Sequence, residues 1–387
     1  MVNTLLTAFL VVLAVSCSTG DATEYLNEAK IISVKKADSN NINLSSLGNS
    51  VEYLYLDTPE NLAIAQIDKV TVIENQLFVL DRDIASALFS FDLKGRYIFD
   101  IQSGLGGPGE VLEFSDFDVS ELDQELYILD NDSKDIKVFN FSGDFIRKIR
   151  LPFFASSISI LGNEIAVFRN NQFTSGNNIN NDQVMIYSKE GKQLRSFLPI
   201  YAKNNYLSYH DSFRPFQSTD SSWIFSQALN DTIYEISNNT LIAKYLLDFD
   251  LKSLRKIEDS FFNIEGFLRS EQRLESQYLM GDTFENNKFL LSLFYAGKTY
   301  NYAFYDKLQQ RTSIVSNIEN DLDYVPLLHI KYLDNERLIA DLPAELLLSL
   351  NDQIKTISDK NMKIRELVSN PLFAKENPIL MLINLSK

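Results

Sequence analysis

LFVLDRDIASALFSFDLKGRYIFDI, from Leu77 to Ile101, is followed by LYILDNDSKDIKVFNFSGDFIRKI, from Leu126 to Ile149. The two stretches share one plan. An apolar run ends in an aspartate, Asp81 or Asp130, and a short polar loop follows. An alternating segment comes next (residues 88–92 and 136–140), then a glycine turn, then a second alternating segment (97–101 and 145–149). Alternation of apolar and polar residues is the signature of half-buried strands. The turns Lys94-Gly95 and Ser142-Gly143 suit a backbone with positive φ, which glycine adopts without steric cost. A third copy, MIYSKEGKQLRSFL, begins at Met185. The glycines Gly95, Gly143 and Gly191 are spaced 48 residues apart.

Adding the strand that precedes Leu77 or Leu126 gives four antiparallel strands in about 48 residues, the size of one β-propeller blade. Working outward, residues 213–249 read as a fourth blade, with Trp223-Ile224-Phe225 and residues 232–236 as its middle strands. Residues 278–315 read as a fifth. Between them residues 251–276 are charged, with helical spacing, and read as an insertion. A last blade takes residues 327–332, 337–341 and 379–385, interrupted by a helical insertion at 344–370 whose apolar positions include Leu346, Leu347, Leu350, Ile354 and Ile364. That blade is one strand short. Residues 51–56 (VEYLYL) supply the missing strand from the other end of the domain and leave no open sheet edge at the join. The expected fold is therefore all-β: a six-bladed propeller of four-stranded antiparallel blades over residues 50–387.

With these features the chain resembles the six-bladed β-propeller lipoproteins of bacteria, relatives of the NHL-repeat propellers. The likeness rests on Glu52-Tyr53-Leu54-Tyr55-Leu56-Asp57-Thr58 before blade one, on Gly104-Leu105-Gly106-Gly107-Pro108-Gly109-Glu110 after it, and on the ending Glu376-Asn377-Pro378-Ile379-Leu380-Met381-Leu382. It covers residues 50–387. It implies the fold and export, and it transfers no catalytic assignment.

Upstream, residues 5–15 (LLTAFLVVLAV) form an apolar run of signal-peptide length, short for a membrane span. The run leads into Ala14-Val15-Ser16-Cys17, which looks like a lipobox. Residues 1–16 are expected to be a lipoprotein signal peptide, Cys17 the acylated residue, and the polar stretch 17–49 a tether. Multiple acyl chains meet the two-signal requirement for stable anchoring. The expected location is exported and membrane-anchored, at the outer membrane or facing the periplasm.

A formal net charge of −16 argues against nucleic acid, whose phosphates require Lys and Arg, and against electrostatic docking on anionic lipid. Contact with a membrane is expected through the lipid alone. A single cysteine permits no intramolecular disulfide, and two histidines, His210 and His329, cannot build a zinc site with it. His329 sits in an apolar run and reads as a packed strand residue; His210 reads as part of a polar connection. There is no G-x-S-x-G and no H-E-x-x-H. The glycine-rich loop 104–110 is followed by another β repeat, not a helix, so it reads as a tight connection between blades and not as a phosphate cradle. Asp81-Arg82-Asp83 and Asp130-Asn131-Asp132 lack the glycine and distal glutamate of a calcium loop, and aspartate at a strand end more often accepts from backbone N–H groups. No catalytic set, metal site or cofactor is expected.

In propellers generally, the loops between second and third strands share one face with the connections between blades. Loops placed by a rigid scaffold are where binding resides. That face is expected to carry ligand contacts at Arg82, Asp83, Asp132, Lys134, Arg169 and Asn170, widened by the Asn-rich stretch 170–181. The expected function is a non-catalytic binding module on the cell envelope, for a small molecule, a glycan or an envelope protein. The alternative is a carbohydrate-active lyase or hydrolase that uses carboxylates of the propeller channel.

Overall fold

A computed structural model describes residues 29–386 except 36, 40, 108, 175–180, 201–213, 238, 251–270, 272–274, 298 and 355–357. Most of the expected 251–276 insertion, His210 and Cys17 lie outside the described residues.

Six antiparallel sheets stand around an axis. Blade 1 consists of Lys69–Ile73, Gln76–Asp81, Ala87–Asp92 and Tyr97–Gln102, and blade 2 of Phe114–Ser120, Glu125–Asp130, Asp135–Asn140 and Phe145–Arg150. Blade 3 holds Ser157–Leu161, Glu164–Phe168, Asp182–Ser188 and Gln193–Pro199. Blade 4 begins with Phe216–Ser218 and ends with Thr240–Asp248; blade 5 begins with Gln277–Glu285 and ends with Arg311–Val315. Blade 6 pairs His329–Leu333, Arg337–Leu342, Ile379–Leu385 and, last, Gly48–Tyr55. The first strands neighbour one another in order, and that of blade 6 returns to that of blade 1.

The second strands are mostly apolar because both blade faces are covered. In blade 2, Leu126 and Ile128 pack with Phe78 and Leu80 of blade 1, whereas Tyr127 and Leu129 pack with Ile158 and Ile165 of blade 3. The core is thus six layers, one per interface between blades, and the period of two along each strand feeds two layers.

The glycine turns close the outer hairpins. Asp92 Oδ1 accepts from the Lys94 and Arg96 N–H groups, and Asn140 Oδ1 does the same for Ser142 and Asp144. A register shift follows each turn, and Gly95, Gly143 and Gly191 sit at φ 78°, 86° and 86°.

The closing strand forms as expected: Tyr55 pairs with Ile379 and Val51 with Ile383. The helical insertion is two helices, Ala344–Gln353 and Asp359–Ser369, followed by a short 3-10 turn, and Leu347, Ile364 and Leu367 cap the core between blades 5 and 6.

From Lys30 onward the stretch expected as a tether is part of the propeller. Lys30–Ser33 adds a parallel fifth strand to blade 4, and Asp38–Ser39 adds one to blade 5. Ile42–Asn43 pairs with Ile318–Glu319 before the chain enters blade 6. Ile32 and Val34 are buried in the layer between blades 4 and 5, and Leu44 and Leu47 in the layer between blades 5 and 6. The segment is a belt. Its few apolar residues are enough to dock it because the outer edges it meets offer unpaired backbone groups.

Candidate functional site

The six residues expected to contact ligand lie on one face, in the loops between second and third strands, and differ in availability. Arg82 and Asp83 pair with each other, Nε to Oδ1 at 2.9 Å. Asp132 sits with Glu113 and Arg82 across the boundary of blades 1 and 2; burial, then the Asp132 charge, pushes the Glu113 carboxyl up. Lys134 lies over the Phe154 ring at 4.2 Å. Arg169 and Asn170 are buried and do not line a mouth. Arg169 occupies in blade 3 the strand-end position of Asp81 and Asp130, stacks on Phe153 at 4.3 Å and donates to Gln172 O at 2.8 Å and Thr174 Oγ1 at 2.9 Å. Residues 175–180, half of the Asn-rich stretch, fall outside the described residues.

The strand-end aspartates bond backbone amides. Asp81 accepts from the N–H groups of Ala65 (2.8 Å), Gln66 (3.1 Å), Ile84 (3.2 Å) and Ala85 (2.9 Å). Asp130 accepts from Leu112 and Ser133 and pairs with Lys137. Each ties its loop to the connection that enters its own blade. The glycine-rich loop is held similarly: the Glu110 carboxylate accepts from the Leu105 and Gly107 amides, both at 2.8 Å. Among the described residues no group of three or more His, Cys, Asp or Glu could hold a metal ion. His329, expected to be packed, is exposed, with Nδ1 3.5 Å from Asp341 Oδ1.

A concave site lies in the axial channel, a cavity of about 750 Å³. It opens on the other face, between the hairpins that join first and second strands: Glu74, Glu121, Thr219–Ser222, Asn286-Asn287 and Asp334-Asn335 surround its mouth. A first strand has a neighbour on one side only, so its inner backbone groups point into the channel and need partners. Polar side chains supply them. Gln217 donates to Glu285 O at 2.8 Å and Leu333 O at 3.1 Å. Arg214, entering blade 4, crosses the axis and donates to Asp68 O of blade 1 at 2.6 Å and to Ile330 O of blade 6 at 3.1 Å. Lys69 Nζ reaches Asp116 Oδ1 at 2.9 Å and Phe117 O at 2.6 Å. Asp118 accepts from Ser159 Oγ at 3.0 Å and Ile160 N at 2.7 Å, and burial pushes its carboxyl up. A side branch reaches Glu285, whose carboxylate takes the Tyr245 hydroxyl at 2.7 Å, Lys307 at 2.6 Å and Lys244 at 3.1 Å.

Sequence reasoning missed this site because its residues run from Lys69 to Arg337 without a motif. The only local signal was a polar residue in the first strand of each blade, as in Lys69, Asp116, Asp118 and Ser159.

A family model described as a domain of unknown function, DUF4934, matches residues 29–384. No curated protein matches. Among solved structures, a Bacteroides fragilis protein named as a "Putative exported protein" superposes with a TM-score of 0.72 at 17% identity, over 92% of this chain and 100% of that one. A member of the DUF4221 family from Bacteroides vulgatus superposes with a TM-score of 0.50 at 10% identity, over 87% of this chain and 97% of that one. At these identities the likeness is one of fold. Among the described residues no helix is long and apolar enough to cross a membrane.

Proposed function

This chain belongs to the DUF4934 family, and from that premise we propose that it is an exported lipoprotein whose propeller binds a ligand in the axial channel without transforming it. One observation carries the reading. The channel is large enough for a small ligand, and its inner carboxylates Asp116, Asp118 and Glu285 are each engaged by protein donors. Groups so held shape a pocket. Export is supported by the apolar run before Cys17 and accords with the name of the Bacteroides fragilis relative. Cys17→Ala should remain unprocessed or leave the membrane fraction. Partition and mass equal to wild type would remove the lipid from the proposal.

A second reading, a carbohydrate-active lyase or hydrolase, is favoured by Asp118, whose raised pKa is the direction a general acid needs. The full chain in detergent, screened by thermal shift against glycans, peptides and metals, separates the readings. A stabilising ligand without turnover supports binding, product formation that Asp118→Asn abolishes supports the enzyme, and silence throughout supports a protein partner. The face is decided by two sets of substitutions. Alanine at Asp220, Asn287 and Asn335 should remove the shift, whereas alanine at Arg82 and Asp132 should leave it. The opposite pattern moves the site to the face with the loops between second and third strands.

A further inference from the structure

We propose that the inner end of the channel receives a single carboxylate on Lys331, so that the ligand is a hydroxyl-rich monoanion with the chemistry of a uronic acid unit. This inference rests on the channel reading above and deepens it.

Among the described residues, setting aside the polar groups engaged by hydrogen bonds or close ion pairs leaves Lys331 as the deep lysine without a hydrogen bond. Lys69, Lys244 and Lys307 each have a carboxylate within 3.1 Å. Lys331 lines the same cavity with its side chain only 15% exposed, and its contact within ion-pair range is Asp341 Oδ2 at 3.8 Å, beyond hydrogen-bond reach. An ammonium has three donors, and here they face the channel. Burial accordingly pulls the Lys331 pKa down, and Arg214 adds to the effect. The Arg214 guanidinium lies beside it, because Nη1 donates to the carbonyl of Ile330, the preceding residue. Each of its terminal nitrogens donates one N–H to a carbonyl, and its Nε is buried without a hydrogen-bond partner among the described residues. Among the described residues, Asp341 balances the Lys331 charge from 3.8 Å, and donors of both cations are left free to meet a ligand acceptor.

The surrounding carboxylates limit that acceptor to one negative charge. Asp282 and Asp341 stand within electrostatic range of both cations, Asp68 of Lys331 and Asp116 of Arg214. Asp282 takes the Arg214 backbone N–H at 3.1 Å, and Asp341 stands 3.8 Å from Lys331 Nζ. A phosphate monoester, close to doubly charged at neutral pH, would meet their repulsion; a carboxylate brings half that charge and two acceptor oxygens. Toward the mouth the wall changes character. Alongside the acidic Glu74, Glu121, Asp220 and Asp334, the side chains of Thr71, Ser218, Ser221, Asn287 and Asn335 present hydroxyls and amides, which suit a partner rich in hydroxyl groups.

The test is calorimetric titration of the full chain in detergent with glucuronate, glucose and glucose 6-phosphate. Glucuronate should bind at least about tenfold more tightly than glucose, the effect of one charge-assisted hydrogen bond, and more tightly than glucose 6-phosphate. Lys331→Met should bring glucuronate down to the level of glucose, and Lys331→Arg should keep the preference. Should the methionine variant fail to fold, Lys331→Gln serves the same purpose at closer polarity. Equal binding of glucose and glucuronate, tighter binding of glucose 6-phosphate, or a preference that survives in folded Lys331→Met or Lys331→Gln overturns the inference. So does glucuronate that shows no saturable binding up to about 10 mM, an affinity too weak for a specific pocket. The channel reading fails separately, through its own hairpin substitutions: a sugar that binds without charge preference and is lost with Asp220, Asn287 and Asn335 leaves it intact.

Discussion

Alanine at Gly95 tests whether the ring is closed by the strand from the other end of the domain. Gly95 sits at φ +78°, and a Cβ built there would stand 2.0 Å from the Tyr55 carbonyl oxygen and 3.3 Å from Leu54 Cδ1. Tyr55 ends the closing strand, and Asp57 N–H donates to Gly95 O at 2.9 Å. The turn of blade 1 therefore abuts the backbone that completes blade 6. Two other glycines calibrate the effect. Gly162, at φ +56°, has nothing within 4 Å of its Cβ, and Gly191, at φ +86°, meets only the Ile149 Cγ2 methyl at 3.0 Å. Gly162→Ala should carry the backbone term alone, roughly 1–2 kcal/mol for a left-handed residue. Gly191→Ala should cost little more, since a side-chain methyl can turn aside. Gly95→Ala should add the cost of forcing a backbone segment away, roughly 1–3 kcal/mol beyond the first term. Its total of about 2–5 kcal/mol is a large share of the roughly 5–15 kcal/mol that keeps a typical protein folded. Urea unfolding gives the ranking, and amide hydrogen exchange gives the location: protection should fall in residues 48–57 for Gly95→Ala alone. Equal destabilisation by Gly95→Ala and Gly162→Ala, with exchange at 48–57 unchanged, would refute the reasoning.

Three further outcomes follow from the same packing. Ile32 is 1% exposed in the layer between blades 4 and 5, so Ile32→Asp should cost about 3–5 kcal/mol as an unpaired buried charge and render the belt protease-sensitive; an unchanged melting temperature would mean that the belt is not docked. Arg169→Ala should destabilise by about 2–4 kcal/mol through its stranded hydrogen-bond partners, whereas Arg82→Ala should stay within about 0.5 kcal/mol as a surface change, and equal melting temperatures would contradict the burial of Arg169. The amides of Gly107 and Leu105 hold the Glu110 carboxyl below its ordinary value of 4.5. Its stabilising contribution is therefore present above pH 4.5 and fades as pH falls through the lower folded-state value. Wild type should lose more stability on acidification than Glu110→Gln, and parallel pH profiles for the two would count against that bond.

The repeat unit was legible because its determinants are local. A glycine at positive φ, an Asx or Ser residue three positions before it and alternation on either side are all set within one hairpin, and they recur at Gly95, Gly143 and Gly191. The strand-end aspartates Asp81 and Asp130 were legible for the same reason, since each has amide partners within four residues. The closing strand 51–56 could be inferred because a propeller with one strand missing leaves an edge that something must cover. The belt could not: its strands are two to four residues long, too short for a periodic pattern, and they form only against edges already built by blades 4 and 5. Arg169 looked like a loop residue because its burial comes from Phe153 and Gln172, brought over it by folding. The channel is the extreme case. Lys69, Asp118, Gln217, Glu285 and Lys331 come from five blades, and no spacing links them. Only closure of the ring turns the unpaired inner edges of six first strands toward one axis, where each must find donors and acceptors among the side chains that the other blades present.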